Sequence, residues 1–477
     1  MNLSKNIILN TDSYKVSMAP QYPAGTTGVY SYIAARGGEY DFTLMYGLQI
    51  FIKEYLTRPI TKEDIDVAEE ILTAHGEPFI RANWDYILER YNGYLPVTIS
   101  AVPEGTVVPV KNALVVIENT DPKCYWLTTW LETALLRSVW YPTTVATRSK
   151  YIKNILQEYL EKSGTPEAIG FKLCDFGARG VSSMESAGIG GSAHLVNFAG
   201  SDTITGVLYA REFYNAGIAG FSIPASEHST ITSWGRDGEA DAFANMVSKF
   251  GRPGSLLAVV SDSYDIFAAC KMWSTEPLKS QVINSGATVV IRPDSGDPLE
   301  VLPKMFKILE QGFGSTVNDK GYAVLNNVRI IWGDGINQVS IASILRVVVD
   351  MYGWSADNIA FGMGGQLLQA LDRDTQKWAM KCSSAQITRR VEDGDLGSGW
   401  VSEWVDVYKD PVTDSGKSSL KGRVTLWTDS DGNYVTSVDQ PKAWADKGWT
   451  NALVEVYRNG QILKEYTFDE VRANSMK

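Results

Sequence analysis

The chain of 477 residues carries 44 Lys and Arg against 55 Asp and Glu, a formal net charge of −11 at pH 7 with histidine neutral. An acidic total of this size excludes non-specific binding to nucleic acid or to an anionic membrane, because a polyanion needs a broad basic face, whereas a small anion needs only a local cluster of cations. With 44% hydrophobic and 21% charged residues, the composition is that of a globular chain long enough for two or three domains, or for one large α/β domain with an addition.

No stretch approaches the roughly 18 apolar residues of a membrane span, and the apolar run near the N-terminus, Ile7-Ile8-Leu9, is too short for a signal peptide. A cytoplasmic protein is expected. Cys124, Cys174, Cys270 and Cys382 are widely spaced, with no CxxC pair and no clustered histidine, so they read as reduced core residues rather than a zinc site or a reactive thiol.

In chain order, the first part reads as mixed α+β. Thr61 followed by Asp64 predicts a helix N-cap, with Ile65, Ala68, Ile71 and Leu72 at helical spacing behind it. Residues 96–102 alternate as a strand, and 106–118 is a second β-rich stretch with a turn at Lys111-Asn112. Ile152, Ile155, Leu156, Tyr159 and Leu160 predict a helix over 149–162, ended by Gly164. Five short apolar strands then each run into a polar or glycine-rich loop, over 171–179, 257–265, 289–296, 328–335 and 359–365. The last four recur at roughly 30 to 40 residues with helical patterns such as 339–351 between them, a βα repeat whose functional groups gather in the loops at the strand C-terminal ends. The remainder alternates as antiparallel strands, with hairpin signals at Asp431-Gly432 and Asn459-Gly460. The expected organisation is an irregular TIM-like α/β barrel over 146–384, beside a second α+β domain rich in antiparallel strands and built from 1–145 with 385–477.

Several standard sites are absent: no GxxxxGK[ST], no HExxH and no GxSxG occurs. The type I phosphoribosyltransferase pattern is missing too, although Val259-Val260-Ser261-Asp262 begins like it. What remains suits a phosphorylated sugar. Gly333-Asp334-Gly335 and Gly362-Met363-Gly364-Gly365 lack Cβ bulk and admit phosphate oxygens to backbone N–H groups, though tight turns alone would also explain them. In Arg292-Pro293-Asp294-Ser295-Gly296 a fork-shaped cation and a carboxylate stand two residues apart, fit for a phosphate and a ribose diol or for pairing with each other. Histidine is scarce. His75 falls at a helix end, His194 reads equally as core or site, and His228 sits among Glu227 and flanking hydroxyls that would orient it.

Taken together, Thr11-Asp12-Ser13-Tyr14-Lys15, Val102-Pro103-Glu104-Gly105, the segment from Glu118 to Leu127, Asp175-Phe176-Gly177-Ala178-Arg179-Gly180, the segment from Pro224 to Thr230, Ser261-Asp262-Ser263-Tyr264-Asp265, the segment from Ile291 to Gly296 and Lys421-Gly422-Arg423 resemble, in order, the nicotinamide phosphoribosyltransferase family. The resemblance spans nearly the whole chain. It implies transfer of 5-phosphoribosyl from phosphoribosyl pyrophosphate to nicotinamide, in a homodimer with active sites shared between subunits. It further implies that Phe176 and the partner subunit's Tyr14, with Asp12 beside it, hold the pyridine ring, that Arg179 donates to the amide carbonyl, and that Asp202 accepts from the amide NH2. On the donor side it implies Asp294 for the ribose hydroxyls, Arg292 for phosphate, and Ser222, Gly333, Asp334, Gly364 and Gly365 around the phosphoribosyl group. Arg36, Arg373 and Lys381 would meet the pyrophosphate from across the dimer, with Mg2+ sharing its charge. By the same resemblance His228 is phosphorylated by ATP, an optional coupled substrate, and is oriented by Asp265 and Glu227.

Ala178 stands where an aromatic is often found in that family, Ala379 where a hydroxyl residue would help at the phosphate site, and the segment after Arg36 is shorter. Three other readings compete. Nicotinate specificity would require avoiding Asp202, whose carboxylate would face another carboxylate. A barrel glycosidase would draw on 14 Trp and 23 Tyr as sugar platforms and on Asp294 or Asp334 as acid or base. A non-catalytic nucleotide-binding protein would have no reason to retain Arg292, Asp294, His228 and Asp202 together.

Overall fold

The apolar runs of the middle of the chain form a parallel sheet whose two faces both meet protein, which is why they read as nearly continuous hydrophobic stretches. The computed structural model describes residues 5–393, 397–413, 419–438 and 441–477. It divides into unit 1, Met1–Thr147 with Glu212–Ala216 and Leu371–Lys477, and unit 2, Arg148–Arg211 with Gly217–Ala370.

In unit 2 the parallel sheet has five strands in the order Leu173–Asp175, Ile359–Met363, Val328–Trp332, Thr288–Arg292 and Leu256–Val260. All four pairings are parallel. Single parallel bridges continue from both edges, Asp175 with Ser201, Gly200 with Phe221, and Ala225 with Ala258. The helices between the strands start where side chains satisfy otherwise unpaired N–H groups: Asp265 caps Ile266–Ser274, Asp297 caps Pro298–Phe313, and Asn337 caps Gln338–Leu345.

In unit 1 the strand order is Gly397–Asp406, Trp378–Asp393, Thr26–Ala35, Ala113–Asn119, Val97–Ala101, Val454–Arg458 and Gln461–Ile462. Strands from both ends of the chain therefore interleave in one antiparallel sheet. The hairpin signals fall where the structure turns, between Val424–Thr428 and Tyr434–Val438 and between Val454–Arg458 and Gln461–Ile462.

The division differs from the one expected at 145 and 384. Residue 384 lies inside Trp378–Asp393, which is paired with Thr26–Ala35 from Ala35 opposite Trp378 to Thr26 opposite Ile387. A strand so paired stays with its sheet. The segment Glu212–Ala216 joins unit 1 through Tyr214, whose hydroxyl donates to the buried Glu104 at 2.6 Å and whose ring stacks on Tyr46 at 5.0 Å.

Local expectations mostly hold. Thr61 and Asp64 form a capping box on Lys62–Ala74, and His75 is its C-cap. The helix expected over 149–162 begins instead at Glu132 and contains Pro142. Buried Ala134, Leu135 and Val139 extend its core-facing side through the proline. Among the described residues no helix is long and apolar enough to cross a membrane.

Candidate active site

Alternation along the parallel strands decides which loop residues face inward. Ala258, Val290 and Ile331 form a buried cluster with Cys174, Phe176 and Ala360 packed against it. Because the side-chain period is two, the same face continues upward through Val260 to Asp262, from Val290 to Arg292 and Asp294, from Ile331 to Gly333, and from Ala360 to Gly362 and Gly364. The chemistry-bearing residues are thus the upper layer of the sheet's inner face.

Phe176 leaves the Leu173–Asp175 strand with its N–H donated to Met363 O at 2.9 Å. Its ring lies so close to Gly362 that a Cβ there would stand 1.9 Å from Cε2. The Arg292 guanidinium carbon stands 5.6 Å from the ring centroid. Arg292 Nη2 donates to both Asp294 oxygens, at 2.9 and 3.0 Å, so the structural pair read from the sequence does form. Arg292 Nε is nevertheless buried without a hydrogen-bond acceptor, which leaves one charged donor for an anion. Gly333 adjoins the same group, its α-carbon packed near Asp294 and Phe176. Asp334 follows it, its backbone carbonyl accepting the Trp332 Nε1–H at 2.8 Å. Gly364 and Gly365 meet the Phe176–Gly180 turn, where Gly180 approaches Gly365.

The partner of His228 differs from the expectation. Nε2 lies 3.0 Å from Asp262 Oδ1, whereas Asp265 spends its carboxylate on the N–H groups of Phe267 and Ala268. Glu227 is the N-cap of the short helix His228–Thr232. Asp262 does more than hold the histidine. Its Oδ2 accepts the Asp294 N–H at 3.0 Å and the Ser295 hydroxyl at 2.6 Å, so one carboxylate ties His228 to the Arg292–Asp294 loop. Burial would raise its carboxyl, but the hydrogen bonds from Ser295, His228 and the Asp294 N–H outweigh that and hold it below the ordinary value. The sequence signal for Asp262 was available in its two-residue spacing from Val260.

Asp202 is exposed, and its Oδ1 accepts the Ser222 hydroxyl at 2.6 Å. Its N–H donates to Asp175 O at 2.9 Å, which anchors it to the strand that carries Phe176. Arg179 lies exposed in the 3-10 turn Ala178–Gly180 on the same strand end. His194 is settled as core: it is fully buried, 2.9 Å from Ser149 Oγ through Nδ1, and stacked on Phe198 at 5.1 Å.

The remaining expected residues belong to unit 1. Asp12 accepts the Thr133 hydroxyl at 2.7 Å, and Tyr14 beside it is 57% exposed. Arg36 donates from Nε to Lys377 O at 3.1 Å. The Gly37-Gly38 turn behind it requires glycine, since both φ angles are positive and a Cβ on Gly38 would stand 2.0 Å from Thr375 O. Arg373 pairs with Asp374 at 3.2 Å and accepts the Trp378 N–H on its carbonyl. Lys381 lies on the same strand opposite Tyr32. Burial lowers its ammonium pKa, Glu132 raises it, and Arg36, Lys15 and Lys409 lower it further. Lys15, part of the Thr11–Lys15 motif, pairs with Glu132, and Lys409 is near enough for its charge to act on the same ammonium.

A model of the nicotinate phosphoribosyltransferase (NAPRTase) family matches residues 171–461, and one of the nicotinamide phosphoribosyltransferase N-terminal domain matches residues 6–99. The chain is 52% identical to a nicotinamide phosphoribosyltransferase of Xanthomonas campestris pv. campestris, over 100% of this chain and 99% of the relative. It is 30% identical to a nicotinamide phosphoribosyltransferase of Acinetobacter baylyi, over 99% and 97% of the two chains. Among solved structures it is similar to nicotinate-nucleotide pyrophosphorylase from Pyrococcus furiosus, with a TM-score of 0.60 and 16% identity over 99% of this chain and 95% of that one. Human nicotinic acid phosphoribosyltransferase gives a TM-score of 0.55 at 18% identity, over 98% and 93%. At such identities the structural likeness speaks of fold alone.

Proposed function

The chain belongs to the nicotinate phosphoribosyltransferase family, and from that premise we infer that it transfers 5-phosphoribosyl from phosphoribosyl pyrophosphate to nicotinamide, giving nicotinamide mononucleotide and pyrophosphate in NAD salvage. The observation that carries the choice of base is the 52% identity with a nicotinamide enzyme over the whole chain. Asp202 supplies a physical reason: a carboxylate suits an amide NH2 and repels the carboxylate of nicotinate.

In the proposed reaction Phe176 stacks on one face of the pyridine, Arg179 donates to the amide oxygen and Asp202 accepts from the amide nitrogen. The ring nitrogen has no proton to lose, so the reaction needs no general base. Asp294 holds the ribose hydroxyls, and the otherwise unpaired Nε of Arg292 meets a phosphate, with Ser222, Gly333, Asp334, Gly364 and Gly365 around the phosphoribosyl group. As the bond from the anomeric carbon to pyrophosphate loosens, fixed cations stabilise the charge gathering on the leaving oxygens.

We read the enzyme as a cytoplasmic homodimer with shared sites. In it Tyr14 of the partner subunit covers the second face of the ring, with the partner's Asp12 beside it, and the partner's Arg36, Arg373 and Lys381 meet the pyrophosphate. Unpaired cysteines suit that compartment. Among the described residues no three metal-ligating side chains cluster. A Mg2+ bound with the diphosphate would find a carboxylate in Asp294, which also carries Arg292. When bound, the ion shares the charge of the leaving group. His228 is the residue proposed to take phosphate from ATP, with Asp262 rather than Asp265 orienting it. The barrel is read as irregular, supported by the parallel bridges that continue the five-stranded sheet from both edges.

One assay tests the reaction. Purified protein with Mg2+ and phosphoribosyl pyrophosphate is offered nicotinamide or nicotinate, and mononucleotide formation is measured. Faster consumption of nicotinate would overturn the assignment.

A further inference from the structure

Asp175 ends the Leu173–Asp175 strand, one residue before Phe176, and its side chain is fully buried. A carboxylate taken out of water is costly unless its hydrogen bonds are replaced. This one receives little in return. Oδ1 accepts the Gly177 N–H at 2.7 Å, while Oδ2 has only the Thr203 hydroxyl near it, close enough to act on the carboxyl but outside hydrogen-bond geometry. Burial pushes the carboxyl up to about 6; the Gly177 N–H and the approach of Thr203 oppose the rise, and the charge of Asp202 adds to it.

The connections of Asp175 explain why such a group would be kept. Its side chain fixes the N–H of Gly177, the residue that opens the turn Ala178–Gly180 carrying Arg179. Its own N–H donates to Gly200 O at 3.2 Å, and its carbonyl accepts the N–H of Asp202 at 2.9 Å. The ring, the cation and the carboxylate assigned to the base therefore all hang from one residue that does not itself face the base. Small neighbours make room for it: a Cβ on Gly191 would stand 3.4 Å from Oδ2 and 2.8 Å from the Thr203 methyl.

We propose that Asp175 is a positioning residue for the pyridine base, whose carboxylate sets the Phe176–Arg179 turn relative to Asp202. The proposal rests on the reaction inferred above and deepens its base site.

The test compares KM for each substrate in Asp175→Ala, Asp175→Leu and Asp175→Asn with the parent enzyme. Asp175→Ala removes the acceptor, Asp175→Leu removes it while filling the volume, and Asp175→Asn keeps an acceptor for Gly177. Losing a hydrogen bond to a charged group predicts a KM for nicotinamide raised about tenfold or more in the Ala and Leu variants, with KM for phosphoribosyl pyrophosphate within about twofold of the parent. Asp175→Asn should restore KM for nicotinamide to within about threefold. Equal shifts in both KM values, no shift in nicotinamide KM, or an Asn variant as impaired as Leu would each overturn the proposal. Should the Ala variant fail to fold, the Leu and Asn pair decides alone. A parent enzyme that forms no mononucleotide from nicotinamide would instead refute the inferred reaction before any variant is compared.

Discussion

The ring of Phe176 rests on the α-carbon of Gly362, at a distance where a single added methyl would stand 1.9 Å from Cε2 and 2.2 Å from Cδ2. No bond rotation of an alanine methyl relieves such a clash, so the glycine holds the place of the ring. Gly362→Ala is expected to displace Phe176 and raise KM for nicotinamide about tenfold or more, because stacking is lost while the rest of the site remains. Initial rates at saturating phosphoribosyl pyrophosphate measure this. A variant with unaltered nicotinamide KM would refute the role given to the ring.

Asp262 and Asp265 stand three residues apart and do different work. Asp262→Asn should abolish stimulation by ATP because the charge that orients the imidazole is gone, and His228→Ala should do so because the imidazole itself is gone. Asp265→Asn should keep that stimulation and lose stability by about 1 kcal/mol or less, the scale of a weakened helix cap. Coupled assays with and without ATP, beside thermal melts, separate the two. ATP stimulation that survives in Asp262→Asn and vanishes in Asp265→Asn would reverse the assignment.

Asp202→Ala should weaken discrimination against nicotinate, since the like charge opposing that base is removed. Ser222→Ala, which removes the hydroxyl bonded to Asp202 Oδ1, should shift selectivity in the same direction by less. Competition between the two bases gives the ratio directly. Unchanged selectivity in both variants would exclude Asp202 as the discriminator.

His194 supplies a pH dependence. Burial lowers its pKa from an ordinary 6.5 to about 4, against the hydrogen bonds to Gly200 and Leu173 that raise it. Between those values the unfolded chain binds the proton and the folded chain does not. Its contribution is therefore complete above the unfolded pKa and is lost as pH falls through the folded one. Asp175 acts in the opposite sense over an overlapping range, with stability lost as pH rises through about 6. Melting His194→Gln from pH 7 to pH 4 should give a shallower decline than in the parent, by up to about 3 kcal/mol at the acid end. Parallel curves for parent and variant would show that His194 is not the titrating group.

Much of unit 2 was legible in the sequence because both faces of its sheet are buried, which leaves apolar runs bounded by glycine and acid. The loops that carry Arg292, Asp294 and Gly333 follow from those runs, whereas the place of Phe176 comes from the family resemblance. The family resemblance names Asp265 as the partner of His228, and the two-residue alternation from Val260 is the local pattern that instead turns Asp262 inward to it. Glu132–Ser163 extends past the expected start although Pro142 ordinarily ends a helix, and the groups that bond it beyond the proline, the Tyr46 N–H to Thr143 and the Leu44 N–H to Thr147, lie far away in sequence. The place of Trp378–Asp393 in unit 1 was hidden for a similar reason. Its partner strand is Thr26–Ala35, and no local pattern records a pairing across that separation.

That interleaved sheet bears on how the chain is made. Thr26–Ala35 emerges early in synthesis but has no neighbour on one side until Trp378–Asp393 follows, and Val97–Ala101 waits for Val454–Arg458. Unit 2 meets its strand partners within one stretch of chain, so it has what it needs to close first, while the earliest strands are held open. Nascent chains arrested before residue 378 should accordingly present a protease-resistant core from unit 2 and a cleavable N-terminal segment. Thr26–Ala35 and Val97–Ala101 are thus among the last strands to gain both neighbours.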